Sequence, residues 1–187
     1  MADKNYRSYY GIDGQVVADE TLPPLDEYPK DYDDILKFSI CSGATVRDCA
    51  ISCGRENCTD AVRGTNYLWK GCLFDVEPPA YGVMTIKGAI KGWTVDNCRF
   101  QGHGDKFDIE VGQFDDYWYP GRVGTKNGLI RDSYSLDGKP ILVTVWDADV
   151  PVASNSNVKI KKVSPFIWFP YFMFRYIQIK LKKMFGK

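Results

Sequence analysis

One short phrase recurs along this chain and aligns with itself without gaps, at residues 45–51, 67–74, 94–100 and 129–135. Each copy sets an apolar residue three positions before a small sulfur or hydroxyl residue, and three of the four set another apolar residue two positions after it. A fainter fifth copy occupies residues 152–158. The small residues form a column, Cys49, Cys72, Cys98, Ser133 and Ser156, whose steps are 23, 26, 35 and 23 residues. Such a repeat dictates the architecture, because one unit of this size cannot bury its apolar side alone and must stack on its neighbours.

A period of 23 to 26 residues, with strand-like alternation and Gly, Asn or Asp at the junctions, accommodates one coil of three short strands and their turns. Leucine-rich repeats have a similar period, but they need a leucine ladder and a helical half that this sequence lacks. A second strand precedes each later copy, at residues 59–64, 83–88, 107–112 and 141–146. The third of these fits two registers. Matching its glycine to Gly64 and Gly88 puts Glu110 in the interior beside Val62 and Ile86, which buries an unpaired charge. Sliding by one puts Ile109 inside and lines up Arg63, Lys87 and Glu110 on one exposed column, with Asp108 beside it. Alternation favours the second register.

The expected fold is therefore all-β, a short right-handed parallel β-helix of about five coils over residues 38–162. Residues 57–64 (Asn-Cys-Thr-Asp-Ala-Val-Arg-Gly) and 93–100 (Trp-Thr-Val-Asp-Asn-Cys-Arg-Phe) resemble coil segments of the right-handed parallel β-helix, or pectin-lyase-like, superfamily. The resemblance covers residues 38–160 and implies the fold. That superfamily spans pectin and alginate lyases, glycoside hydrolases, epimerases, viral tailspikes and inert adhesins, so activity has to be argued from a site.

Six cysteines, Cys41, Cys49, Cys53, Cys58, Cys72 and Cys98, would be enough for three disulfides. The column gives them another role. Interior positions of a stacked coil repeat at about 4.8 Å, and a buried thiol packs there as a small hydrophobe, so these cysteines are expected to be reduced. Cys49, Cys53 and Cys58 include no C-x-x-C pair, and the single histidine, His103, is distant in sequence, so no metal or other cofactor is expected.

A catalytic β-helix presents carboxylates on an outer face, as an acid/base pair or with a cation that neutralises a uronate. Asp60, Arg63, Lys87, Asp108 and Glu110 are the candidates; as an enzyme, the chain would use Asp108 and Glu110 with Arg63 or Lys87 on an acidic glycan, as a lyase or glycoside hydrolase. The competing reading is a solvated ladder in which Glu110 pairs with Lys87. Gly102-His103-Gly104 is like the Gly-His-Gly of polygalacturonases but lacks the aspartates expected before it, which favours a turn residue. The longest step of the repeat holds about ten extra residues, 113–122. Asp115, Asp116, Tyr117, Trp118, Tyr119 and Arg122 there suit a glycan or a partner, since aromatic faces stack on sugar rings; folding back over the sheet is the alternative.

The formal net charge is zero, which gives no bias toward nucleic acid, yet the ends are opposite. Residues 1–35 carry nine acids and three bases, whereas from Val150 onward there are eight bases and no acid. Residues 1–37 read as an extended acidic arm, and the charged start, without an apolar run, reads as synthesis in the cytoplasm with no signal peptide. Residues 163–187 read as a basic amphipathic helix in which Trp168, Phe172, Phe174, Arg175, Ile177, Lys180, Lys182 and Lys183 dock on a membrane, on a partner or on the open end of the β-helix itself. A transmembrane span fits poorly, because Pro170, Arg175, Gln178 and Lys180 interrupt the ~20 apolar residues it needs. Taken together, the sequence favours a non-catalytic structural or binding β-helix, virion-associated or peripheral to a membrane. Other protein subunits, a glycan or a membrane surface are the expected partners.

Overall fold

A computed structural model describes residues 7–21, 34–53, 55–113 and 124–164, and ten further positions between 166 and 184. The architecture is an all-β parallel solenoid of about five turns. Its first face stacks β1 (Arg7–Tyr10), β3 (Leu36–Ser42), the first half of β6 (Thr59–Lys70), the first half of β8 (Met84–Asp96), β10 (Ile109–Val111), β13 (Ile141–Val145) and β15 (Val158–Lys162). A second face stacks β2 (Val16–Ala18), β4 (Thr45–Arg47), the second halves of β6 and β8, β11 (Lys126–Arg131) and β14 (Val152–Ser154). The third is the separate sheet of β5 (Ala50–Cys53), β7 (Leu73–Val76), β9 (Arg99–Gln101) and β12 (Tyr134–Ser135).

Strand registers reproduce the repeat. On the second face Val46 pairs with Trp69, Trp69 with Val95, Val95 with Ile130 and Ile130 with Ala153, so the ladder advances by 23, 26, 35 and 23 residues. The apolar residues of the first four phrases, Val46, Trp69, Val95 and Ile130, are thus stacked in the interior, while Ala153 in the last coil is exposed. The third face adds Ile51, Phe74 and Phe100, and the first adds Phe38, Ala61, Ile86, Val111 and Val145, all buried. Where Trp93 faces Gly128 in the next coil, a Cβ on the glycine would lie 2.2 Å from the indole, so the large ring is accommodated by a missing side chain. β6 bends between faces at a register shift between Val62 and Gly64; Gly64 has φ 113°, and a Cβ there would lie 2.0 Å from the Cys41 carbonyl oxygen.

The Cys/Ser column sits at a corner with a defined chemistry. The residue before each member, Asp48, Gly71, Asn97, Asp132 or Asn155, has a left-handed φ between 47° and 66°, a conformation that Gly, Asn and Asp adopt at least cost. After that turn the thiol or hydroxyl points inward and donates to the carbonyl two residues back: Cys49 to Arg47 at 3.1 Å, Cys98 to Asp96 at 3.4 Å, Ser133 to Arg131 at 2.9 Å and Ser156 to Ser154 at 3.0 Å. Ser133 Oγ also accepts from Cys98 N at 3.0 Å, stitching adjacent coils. All six cysteines are free and buried, and burial pushes the Cys49 thiol up to about 11. Buried in this way, the six thiols fill the interior as small hydrophobes.

The N-terminal boundary differs from the expected one. β1 pairs with β3 and β2 with β4, Asp19 repeats the left-handed corner at φ 53°, and Thr21 bridges Ala50. Residues 7–21 therefore belong to the solenoid, which starts well before residue 38. Val17, buried against Val46, shows why: its position continues the interior column of the second face. Residues 34–37 are also in place, leading into β3, whereas residues 1–6 and 22–33 of the acidic arm lie outside the described residues.

Candidate functional site

The outer side of the first face carries the candidate chemistry, and its register corrects the one expected from sequence. Ile109 pairs with Met84, Glu110 with Thr85 and Val111 with Ile86. Glu110 therefore stands in the column Lys37, Asp60, Thr85, Glu110, Thr144 and Lys161, not in one with Arg63 and Lys87. The expected alternation was right, with Glu110 on the outer side, but the strand is displaced by two residues. The physical reason lies inside: this register sets both Ile109 and Val111 under apolar partners, Met84 and Ile86, whereas the expected one places Val111 at Gly88.

Asp60 is the centre of the column. Fully buried, it lies 3.1 Å from Lys37 Nζ and 3.0 Å from Lys87 Nζ, and accepts from Thr85 Oγ1 at 2.5 Å. Burial alone would raise its pKa, but Lys87 and Lys37 outweigh it and hold the carboxyl below the ordinary carboxylate value. Burial likewise works against both ammonium groups, and the Asp60 and Asp34 carboxylates overcome it, so Lys37 and Lys87 are held above the usual lysine value. Asp34, 3.3 Å from Lys37 and bonded to Asn57 Nδ2 at 2.9 Å, is pushed up to about 7 by burial and by Asp60. Thus Lys87 pairs with Asp60, and the expected Lys87–Glu110 ladder is replaced by two half-buried lysines on one buried aspartate.

Glu110 is buried, and its Oε1 accepts from Trp146 Nε1 at 2.7 Å while Oε2 has no hydrogen-bond partner among the described residues. Burial pushes its pKa up to about 7. Two strand spacings separate Glu110 from Asp60, about 9–10 Å. Arg63 occupies the bend, with φ 54° and its side-chain stem against Gly88, so it lies at a corner rather than in the charged column.

Asp108 has a structural assignment. Its Oδ2 accepts from Leu142 N at 2.7 Å and lies 2.9 Å from His103 Nδ1, and its Oδ1 accepts from Gly104 N at 3.2 Å. Buried completely, it is raised above the ordinary aspartate value by desolvation, against these donors. His103 also lies 3.3 Å from Asp137 Oδ1 through Nε2, and the two carboxylates overcome partial burial and raise its pKa. Ser135 Oγ donates to the same Asp137 oxygen at 2.7 Å. The turn expected at His103 is therefore also a clamp between coils, with its imidazole held between two acids.

Asp115, Asp116, Tyr117, Trp118, Tyr119 and Arg122 lie outside the described residues, as do Trp168, Phe172, Arg175, Lys180, Lys182 and Lys183. The insertion itself is visible in the ladder: the step is 25 residues from Met84 to Ile109 on the first face and 35 from Thr94 to Leu129 on the second, so ten residues enter between β10 and β11. Phe174 and Ile177 are exposed, at 60% and 50%. Sequence reasoning missed Asp34, Lys37 and Trp146, of which Lys37 lies in β3 while Asp34 and Trp146 flank β3 and β13, and whose partners depend on register. Among the described residues no group of three or more His, Cys, Asp and Glu could hold a metal ion, and no helix is long and apolar enough to cross a membrane.

No family model, curated protein or solved structure matches this chain. What the fold and the charged face define is a class, the parallel β-solenoid with a salt-bridged outer face.

Proposed function

We propose that this protein is a non-catalytic structural or binding solenoid, a component of a virion or surface assembly, which its C-terminal segment holds against a membrane or a partner. One observation carries the reading. Eight apolar side chains between Phe166 and Met184 are each at least 43% exposed, Phe166 reaching 92% and Met184 70%. Apolar surface of that extent is rarely left to water by a chain that works alone. The same stretch contains Arg175, Lys180, Lys182 and Lys183, the composition of a helix lying in a membrane interface. In this reading the coils are right-handed, as crossovers between parallel strands nearly always are, and the pectin-lyase-like resemblance describes the scaffold. The aromatic insertion at 113–122 then contacts a glycan or another subunit. Full-length protein should pellet with liposomes, or be held by its assembly partner, while a chain ending at Val163 should do neither. Equal behaviour of the two chains in both assays would refute the docking role.

A second reading, a hydrolase or lyase of acidic glycans, draws on the opposed acidities of Asp60 and Glu110 across about 9–10 Å, near the separation of an inverting pair. Against it, both carboxyl groups are buried, and Asp60 is occupied by two lysines and a threonine. Turnover of any acidic glycan that disappears in Glu110→Gln would establish the enzyme and displace the non-catalytic reading.

A further inference from the structure

The solenoid has two open ends, and they are chemically unlike. At the last coil, β15 places Lys159 beside Leu142 and Lys161 beside Thr144 on the outer side, and Lys162 beside Val145 at a position that is interior in the preceding coil. All three lysines are exposed, while Val158 and Ile160 are half-buried against the core. A cation at an interior position of an edge strand opposes the pairing of a further apolar coil, so this end is not shaped to receive a second copy. One acid stays close by, Asp147, whose carboxyl feels the Lys162 charge, but none occurs from Val150 onward. The first coil is the reverse, with Asp13 and Asp19 exposed and Glu20 at the corner.

Seven strands lie on the first face, so six spacings, about 29 Å, separate the two ends. That is more than three screening lengths at physiological ionic strength, so a charged surface touching one end scarcely acts on the other. Resting on the docking role of the tail proposed above, we infer that the solenoid stands end-on against an anionic lipid surface, with Lys159, Lys161 and Lys162 facing the headgroups and the acidic first coil directed away. The exposed apolar residues from Phe166 onward leave the solenoid beside those lysines, so tail and end strand meet the same surface. Anionic headgroups attract each nearby lysine by about fivefold in affinity, and three together by about 100-fold.

The test uses the full chain and the variant Lys159→Gln/Lys161→Gln/Lys162→Gln, whose tail is intact and whose changed side chains are exposed; circular dichroism confirms that it folds. Partitioning is measured on vesicles of phosphatidylcholine alone and of phosphatidylcholine mixed with phosphatidylserine, at low and high salt. The expected result is wild-type binding to phosphatidylserine vesicles about 100-fold tighter than the variant's, a difference erased by salt and absent on phosphatidylcholine. If the variant binds phosphatidylserine as tightly as wild type, the end strand does not face the lipid, although the tail still docks. Wild-type binding that ignores phosphatidylserine overturns the inference in the same way. Salt-sensitive self-association in sedimentation velocity, lost in the variant, overturns it in favour of end-to-end assembly. Absence of binding to every vesicle by both chains removes the membrane as the docked surface altogether.

Discussion

The corner column of Cys49, Cys72, Cys98 and Ser133 and the outer column of Lys37, Asp60, Thr85 and Glu110 are built from the same coils, yet they obey different rules. At the corner, each member repeats one small side chain, one left-handed turn and one hydrogen bond to the carbonyl two residues back. Along the outer column, neighbours differ in size and charge, and their partners are reached diagonally, as when Lys87, level with Val62, pairs with Asp60. Interior space selects the same answer in every coil. The outer side selects only that buried charges find partners, which many sequences can satisfy.

Three substitutions would break or sharpen that contrast. Asp60→Asn leaves Lys37 and Lys87 without their shared anion and should cost about 2–3 kcal/mol in urea unfolding at pH 7; breaking a fully buried pair costs more, but these lysines retain 32% and 22% side-chain exposure. Because the folded pKa of Asp60 is depressed below 3.8, its contribution is present above that value and lost as pH falls through the folded pKa, so wild type and variant should converge in acid. A cost that is unchanged at pH 2 would contradict this electrostatic account.

Glu110→Gln should act in the opposite sense. Burial raises Glu110 from 4.5 to about 7, so its stabilising contribution is complete below 4.5 and is lost as pH rises through about 7. The neutral amide keeps an acceptor for Trp146 Nε1 and should make the protein on the order of 1–3 kcal/mol more stable at pH 8, with little change at pH 4. Thermal unfolding of both proteins across that range reads the difference directly, and a variant less stable at pH 8 would show that the carboxylate is paired in the folded state.

The smallest effect belongs to the corner. Cys98→Ser should cost less than about 1 kcal/mol, because Ser133 already occupies the next level with the same hydrogen bond to the residue two before it. A loss above about 2 kcal/mol would mean that sulfur packing, rather than the bond, holds the column.

Much of the scaffold was legible in sequence because interior stacking writes the same residues at the same steps: Val46, Trp69, Val95 and Ile130 could be aligned before any strand was seen, and they are in register. Glu110 shows where legibility ends. Its side of the strand follows from alternation, but its level depends on how many residues the preceding turns consume, and shared glycines are a poor guide to that because Gly64, Gly88 and Gly112 serve bends at different levels. The first coil escaped for a related reason. Val16, Val17 and Ala18 form too short an apolar run to stand out from their acidic surroundings, although the ladder accepts them once Val46 is in place.

The unequal steps of the ladder also bear on engineering. Ten residues enter between β10 and β11, yet pairing resumes with Lys126 beside Lys91 as though nothing intervened. Each coil thus re-engages the one below it like the next stitch in a row, indifferent to how much thread was drawn out at the corner. That makes the 113–122 segment a natural place to graft a foreign peptide, such as an epitope or a labelling tag, on a scaffold whose strands would not register its length.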